Sequence, residues 1–348
     1  MSQIAPSKPP LASRPLETSP YHRGERALQE RAGVRDKVEQ IGRRVIRDFM
    51  PDQHRELFGK LPFLIVGSLD AKRHPWASVL VGHPGFMTSP DARTLAIHAR
   101  AGFGDPLGAN IRPGAPIGLL GIEPSTRRRN RMNGTIAAVD RDGFVVRVSQ
   151  SFGNCPQYIQ ARSCEFLADP ETITTPRPIS AEGPVLSETA AALVQRADTF
   201  FIATTSPTDG GSAEGVDVSH RGGKPGFVRV SEEDGRTVLT SPDFSGNFHF
   251  ATFGNLALDP HAGLIFINFP SGDLLSLTGE ADVIWDGPEL AAFVGAQRLL
   301  RFRVSEGVFI ENAVPLRWLE PEMSPKLAAT GSWEDVERAR QVMPRAAE

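Results

Sequence analysis

The sequence predicts a mainly β protein: two consecutive β domains of one topology behind a helical N-terminal arm. Three observations predict it. From residue 62 onward, short runs rich in Val, Ile, Phe and Thr alternate with turns, and 33 Gly and 29 Pro among 348 residues supply the punctuation that many short strands need. Segments of the first half recur, in order, in the second. Before residue 62 the apolar spacing is helical instead.

Residues 1–20 are rich in Pro and Ser and are expected to be disordered. From Gly24 to Leu61 two or three short helices are expected. Val38, Ile41, Val45 and Phe49 recur at three or four residues, which predicts one apolar face, and Pro51 fits the first turn of the last helix. PFLIVGSLD, PWASVLVG, RTLAIHA, PIGLLGIE, NGTIAAVD and GFVVRVSQ read as strands. The stretch 165–190, rich in Pro and Thr, reads as a linker, and a short helix from Leu186 to Ala197 follows with Ser187 as N-cap. TFFIATT, GVDVSHRGG, GFVRV, RTVLTSP, AGLIFINF and LLSLTGEADVIWD return to strands. PELAAFVGAQRLLRF predicts a helix with Pro288 near its start, FRVSEGVFI and PLRWL predict the last strands, and SWEDVERARQV a weak helix. The resulting division is an arm over 1–60, domains over 61–165 and 191–320, a linker over 166–190 and a tail over 321–348.

The repeat is the strongest organising signal. HPGF ending at Phe86 resembles KPGF ending at Phe227, and RTLAIHA from Arg93 resembles RTVLTSP from Arg236. Phe63-Leu-Ile-Val resembles Phe201-Ile-Ala-Thr, Gly118 stands opposite Gly263, and Gly134 opposite Gly279. The offset grows slowly along the chain, as small loop insertions produce. A pseudo-dimer within one chain is the simplest account.

Composition excludes several classes. With 38 basic and 41 acidic residues the chain lacks the basic excess of a broad nucleic-acid surface. No run of 18 apolar residues is present and the N-terminus lacks an apolar signal core, so neither a membrane partner nor secretion is expected. Cys155 and Cys164 form no CxxC pair and fit reduced thiols in the cytoplasm. The histidines show no ligand spacing, so no metal is expected. No dinucleotide fingerprint, phosphate loop or nucleophile elbow is found.

Three segments carry candidate chemistry. In Gly215–Phe227, Ser219, His220 and Arg221 end a strand before Gly222-Gly223. The glycines are expected to let backbone N–H groups approach an anion, with Arg221 and Lys224 adding charge; a plain Gly-rich hairpin is the alternative. In SPDFSGNFHFATFGNL, Ser245, Gly246 and Asn247 are expected at a helix start, where free N–H groups attract phosphate or simply receive a cap. In PSTRRRNRMNG, alternation along a strand puts Arg127, Arg129 and Arg131 on one side and Arg128 and Asn130 on the other; a solvated edge is the alternative to a wall facing the second domain.

The order DVSHRGGKPGF, VLTSPDFSGNFHFATFGNLALDPHAGLIFINF, GDLLSLTGEADVIWD resembles the pyridoxamine 5′-phosphate oxidase-like, flavin-binding split-barrel family. SPYHRGERALQERAGV and SFGNCPQYIQARS look like a bacterial subgroup with two barrels. The resemblance spans about residues 20–320. It implies two tandem six-stranded antiparallel Greek-key split β-barrels with FMN bound between them. Carried over by position, Val218, Ser219, His220 and Arg221 lie along the flavin, Pro242, Asp243 and Asn247 lie by its phosphate or ring, and Arg128, Arg129 and Asn130 reach across from the first barrel. Gly246-Asn247 replace the Arg/Lys pair of the oxidase, and the residues that hold its vitamin B6 substrate are not found. Gly104-Asp-Pro-Leu-Gly108 marks the matching place in the first repeat as a degenerate site.

The expected function is an FMN-dependent oxidoreductase acting on a small molecule, in a chain that can pair as a homodimer. Asp217 and His220 are candidate acid or base groups; no catalytic residue is assigned. The rivals are a flavin carrier or sensor without turnover, and a haem- or deazaflavin-binding split barrel.

Overall fold

A computed structural model describes residues 16–207 and 213–342. Most of the Pro- and Ser-rich start and the last six residues of the tail lie outside the described residues. The arm forms α1 (Arg23–Arg31), α2 (Arg35–Val45) and α3 (Asp52–Lys60). His22 begins α1 with a reciprocal cap: its ring accepts from Gly24 N at 3.1 Å while the Glu25 carboxylate accepts from His22 N at 2.9 Å. The apolar face expected on α2 is rotated. Val38 and Gly42 are buried, Gly42 against the Tyr21 ring, whereas Ile41 is exposed and Phe49 lies beyond the helix end. Pro51 is the cap residue of α3, one position before its first turn.

The first sheet contains β1 (Phe63–Leu69), β2 (Pro75–Val81), β3 (Met87–Asp91), β4 (Thr94–Ile97), β5 (Pro116–Glu123), β6 (Arg128–Val139) and β7 (Phe144–Gly153), with the short α4 (Leu107–Asn110) before β5. Then come β8 (Cys164–Phe166), a 3₁₀ turn over 170–174, β9 (Ile179–Glu182) and α5 (Glu188–Arg196). The segment expected as a linker contains paired strands. Ser187 caps α5 as expected, accepting from Ala190 N.

The second sheet contains β10 (Thr199–Thr205), β11 (Val216–Gly222), β12 (Arg229–Glu233), β13 (Arg236–Phe244), β14 (His261–Ile267), β15 (Leu274–Ile284) and β16 (Ala296–Ile310), with α6 (Ala251–Leu256) before β14 and α7 (Pro288–Ala292) before β16. β17 (Leu316–Trp318) pairs with β8, and α8 (Trp333–Val342) follows. The helix expected over 288–302 ends after one turn. Gly295 takes φ +81, and Leu299, Leu300 and Phe302 pair with β13 and β15.

The strand orders are β2-β1-β5-β6-β7-β4-β3 and β11-β10-β14-β15-β16-β13-β12, the same path twice. Each path has seven strands rather than the expected six, all antiparallel, with free ends, and β9 adds to β16. The duplication reaches single residues. Asn110 donates to Ser68 Oγ at 3.0 Å, and Asn255 donates to Thr204 Oγ1 at 3.0 Å. Register shifts fall at Asn133/Gly134 and at Thr278/Gly279.

The two halves pack through a shared core in which Ile65, Val79 and Leu120 meet Phe201, Val218 and Ile265. Gly118 and Gly263 mark where the backbones come closest. A Cβ on Gly118 would lie 2.8 Å from Val216 O, and one on Gly263 would lie 2.4 Å from Pro75 O. These are equivalent contacts about a pseudo-twofold axis, the self-complementary pattern of a symmetric dimer. Among the described residues no helix is long and apolar enough to cross a membrane, and no group of three or more His, Cys, Asp or Glu is placed to hold a metal ion.

Candidate functional site

At one side of the seam β6 of the first half crosses the end of β11, and a cleft of about 900 Å³ opens between them and the 242–253 segment. Alternation on β6 sends Arg129 and Arg131 into the cleft. Arg128 goes the other way and donates to Gln53 O at 2.6 Å, and Asn130 is buried outside the cleft lining. Arg129 and Arg131 thus form the wall, and Arg128 and Asn130 do not. Arg127, at the left-handed residue before β6, turns to Ile159 O and Glu322.

On β11, Ser219 and Arg221 face the cleft. Val218 is sealed in the seam core, so it is not available along a ligand. The His220 ring stands edge-on to Phe201 in the same direction, while its carbonyl accepts from Arg129 at 3.4 Å. Burial, then Arg129, Arg221 and Arg162, hold the His220 imidazole well below the usual histidine range. The glycine pair is closely packed, and the Gly223 N–H is already used. A Cβ on Gly222 would lie 2.0 Å from Tyr158 O, and Gly223 N donates to Asp198 O at 3.0 Å. Lys224 donates to Thr330 O at 2.6 Å, away from the cleft lining.

Pro242, Asp243 and Asn247 do line the cleft. Asp243 is held between two cations: Arg298 approaches Oδ2 at 2.7 Å, and Arg221 bonds Oδ1. The expected helix start at 245–247 is instead a loop; α6 begins only at Ala251, and Asn247 Oδ1 accepts from His249 N at 3.1 Å. Arg131 pairs with Asp217 at 3.1 Å and also donates to Ser219 Oγ, which receives Thr252 Oγ1 at 2.9 Å. Asp217 is therefore a counter-ion and not a free base.

Four guanidiniums (Arg129, Arg131, Arg221 and Arg298) thus face two carboxylates, Asp217 and Asp243. Among the described residues Arg129 has no carboxylate partner; its hydrogen bonds there go to the carbonyls of Cys155, at 2.9 Å, and His220. Burial, then its neighbours Arg131 and Arg221, push its pKa down to about 9, which leaves it charged at neutral pH. Among the described residues the buried Nε atoms of Arg131 and Arg221 have no acceptor. Aromatic faces complete the cleft: Arg221 lies 4.6 Å over Phe253 and Arg298 5.0 Å over Phe250. A concave site with surplus positive charge and orphaned donors takes an anion flanked by apolar ring surface.

The equivalent place about the pseudo-twofold lacks this chemistry. By strand register Leu274, Ser276 and Leu80 stand where Arg129, Arg131 and Arg221 stand. The chain between the halves covers it. Ile173 O accepts from Phe103 N at 2.8 Å, and Ile179 packs so closely that a Cβ on Gly104 would lie 2.2 Å from its Cδ1.

Sequence reasoning missed Arg131, Arg298 and His249. Arg131 was legible from strand parity. Arg298 lay in a segment read as helix, and nothing local in the sequence marks His249 as part of a cleft wall.

Residues 186–309 match the family model for pyridoxamine 5′-phosphate oxidase. A search of curated proteins returned no match. Among solved structures, the chain is similar to HupZ of Group A Streptococcus at 10% identity and TM-score 0.28, over 36% of this chain and 94% of that one. It is also similar to HutZ, the heme storage protein from Vibrio cholerae, at 12% identity and TM-score 0.25, over 36% of this chain and 95% of that one. General Stress Protein 26 from Bacillus anthracis follows at 10% identity and TM-score 0.20, over 38% of this chain and 94% of that one. The family match falls on the half that carries the cationic cleft, and the other half repeats its strand order. Within the second half, it is the stretch 186–309 that is similar to the pyridoxamine 5′-phosphate oxidase family.

Proposed function

We propose that the seam cleft binds FMN and that the protein is a flavin-dependent oxidoreductase acting on a small molecule. The observation that carries this reading is the cationic surplus at the seam, with Arg129 lacking a carboxylate partner among the described residues. The residues fit the group. A phosphate accepts readily from the guanidiniums of Arg129, Arg131 and Arg221, and Tyr158, Phe244 and Phe253 offer ring surface for a flat heterocycle. The family match supports the choice of a flavin.

FMN, when bound, supplies the transfer of one or two electrons. The chain's own contribution is to bind and to set charge. Guanidiniums orient the anion, and any that the phosphate leaves free offset the charge that reduction adds. The Asp243 carboxylate keeps Arg221 and Arg298 in place, and Asp217 does the same for Arg131.

The test is the absorption spectrum of the purified chain, with mass spectrometry of whatever denaturation releases. A yellow protein releasing FMN is expected. A colourless protein that takes up no FMN overturns the reading, and a red one with a Soret band replaces it with haem.

A further inference from the structure

His249 separates the cleft from a small polar pocket, which Tyr21, Glu25, Asn133 and Asp217 help to line. It stands between Phe248 and Phe250, both left-handed at φ 58 and 61. Bulky residues seldom adopt that backbone, and it persists only where surroundings enforce it. Here the N-terminal arm enforces it. Gln29 donates to His249 O at 3.1 Å, and Tyr21 Oη bonds His249 Nδ1 with the rings 5.6 Å apart.

The Tyr21 bond has a consequence for the other ring nitrogen. Burial, with Glu25 and Glu39 nearby, keeps the phenol protonated far above the usual tyrosine range. The phenol also reaches Val38 O at 3.4 Å, but the contact with Nδ1 is the closer of the two, and its proton is assigned to Nδ1 on that ground. With Nδ1 accepting, the proton of a neutral imidazole sits on Nε2. Nε2 makes no hydrogen bond to a described residue.

We propose that His249 Nε2–H donates a hydrogen bond to the anionic group of the cleft's ligand, and that Tyr21 is the positioning residue that fixes this tautomer. The choice of ligand rests on the flavin reading above. Burial, then Arg131, lower the His249 pKa to about 4, so the ring is an uncharged donor at neutral pH. The groups facing it are Tyr21 and Gln29 of the arm and Arg131 of β6, with Glu25 and Asp217 across the small cavity.

The test uses the full chain titrated with FMN, with riboflavin, which lacks the phosphate, and with inorganic phosphate. His249→Ala is expected to weaken FMN roughly tenfold or more while changing riboflavin by less than about twofold. His249→Gln, which retains an N–H donor, is expected to recover most of the loss. Nitrogen-15 NMR is expected to show the Nε2–H tautomer in the wild type and a mixture in Tyr21→Phe. Equal losses of FMN and riboflavin mean a packing role and overturn the proposal, as does an Nδ1–H tautomer in the wild type. If neither flavin binds, the flavin reading fails alone. Inorganic phosphate then decides: a shift of the His249 Nε2 resonance supports the donor, and no shift overturns it.

Discussion

Arg129 is the cation whose removal says most about the cleft, because no carboxylate among the described residues compensates it. A charge-assisted hydrogen bond contributes about 1.5–3 kcal/mol. Arg129→Ala is therefore expected to weaken FMN roughly ten- to a hundredfold in a fluorescence titration. Arg128→Ala, an exposed side chain bonded to Gln53 O, is expected to leave affinity within about twofold. Arg221→Ala is likewise expected to cost more than Arg141→Ala, since Arg141 projects into solvent. Equal effects within either pair contradict the placement of the site. Strand parity had separated these arginines correctly in the sequence; what it lacked was which face met the second half, and that depends on packing of the seam.

Asp105 gives a prediction of a different kind at the same scale. It is buried and accepts from Ser78 Oγ at 2.6 Å and Leu107 N at 2.8 Å. Burial dominates and raises its pKa from 3.8 to about 6. A carboxyl with a raised folded pKa binds its proton more tightly when folded, so its stabilising contribution is present below pH 3.8 and is lost as pH rises to about 6. Asp105→Asn keeps both acceptor contacts and does not titrate. Its Tm relative to wild type is expected to climb between about pH 4 and 6 and to level off above. A constant difference across that range contradicts the assignment.

Among the elements, β11 and β13 were recognisable from alternation and turns, and α5 from its Ser187 cap. β16 was recognised only in its second part, FRVSEGVFI; its start was not, because Leu299-Leu300-Arg301-Phe302 is a short apolar run that periodicity alone cannot divide between strand and helix. That one misreading also hid Arg298. The loop before α6 was read as a helix start because Ser, Gly and Asn serve caps and loops alike. The seam elements β5 and β14 carry a sharper expectation. Gly118→Val and Gly263→Val each drive a side chain into the backbone of the opposite half. Each is expected to destabilise by about 1–3 kcal/mol in urea denaturation, with circular dichroism of the native state preserved. Unchanged midpoints in both variants mean that the halves do not meet there.

For the whole molecule, duplication was legible in the sequence down to the paired glycines, while the covering of one site was not, since it depends on where Ile173 and Ile179 pack. The shared core also sets how the chain can be cut. Residues 191–320 alone lose the Ile65, Val79 and Leu120 side of the seam. That fragment is expected to expose apolar surface and bind the dye ANS, so flavin affinity is better tested in the intact chain. There the duplicated fold leaves one cationic cleft and one apolar, covered counterpart. The measurement closest to that asymmetry is the stoichiometry of FMN binding to the full chain, from titration at protein concentrations well above the dissociation constant. One equivalent per chain, abolished in Arg129→Ala/Arg131→Ala, is the expected result; two equivalents, or one that survives the double substitution, contradicts it.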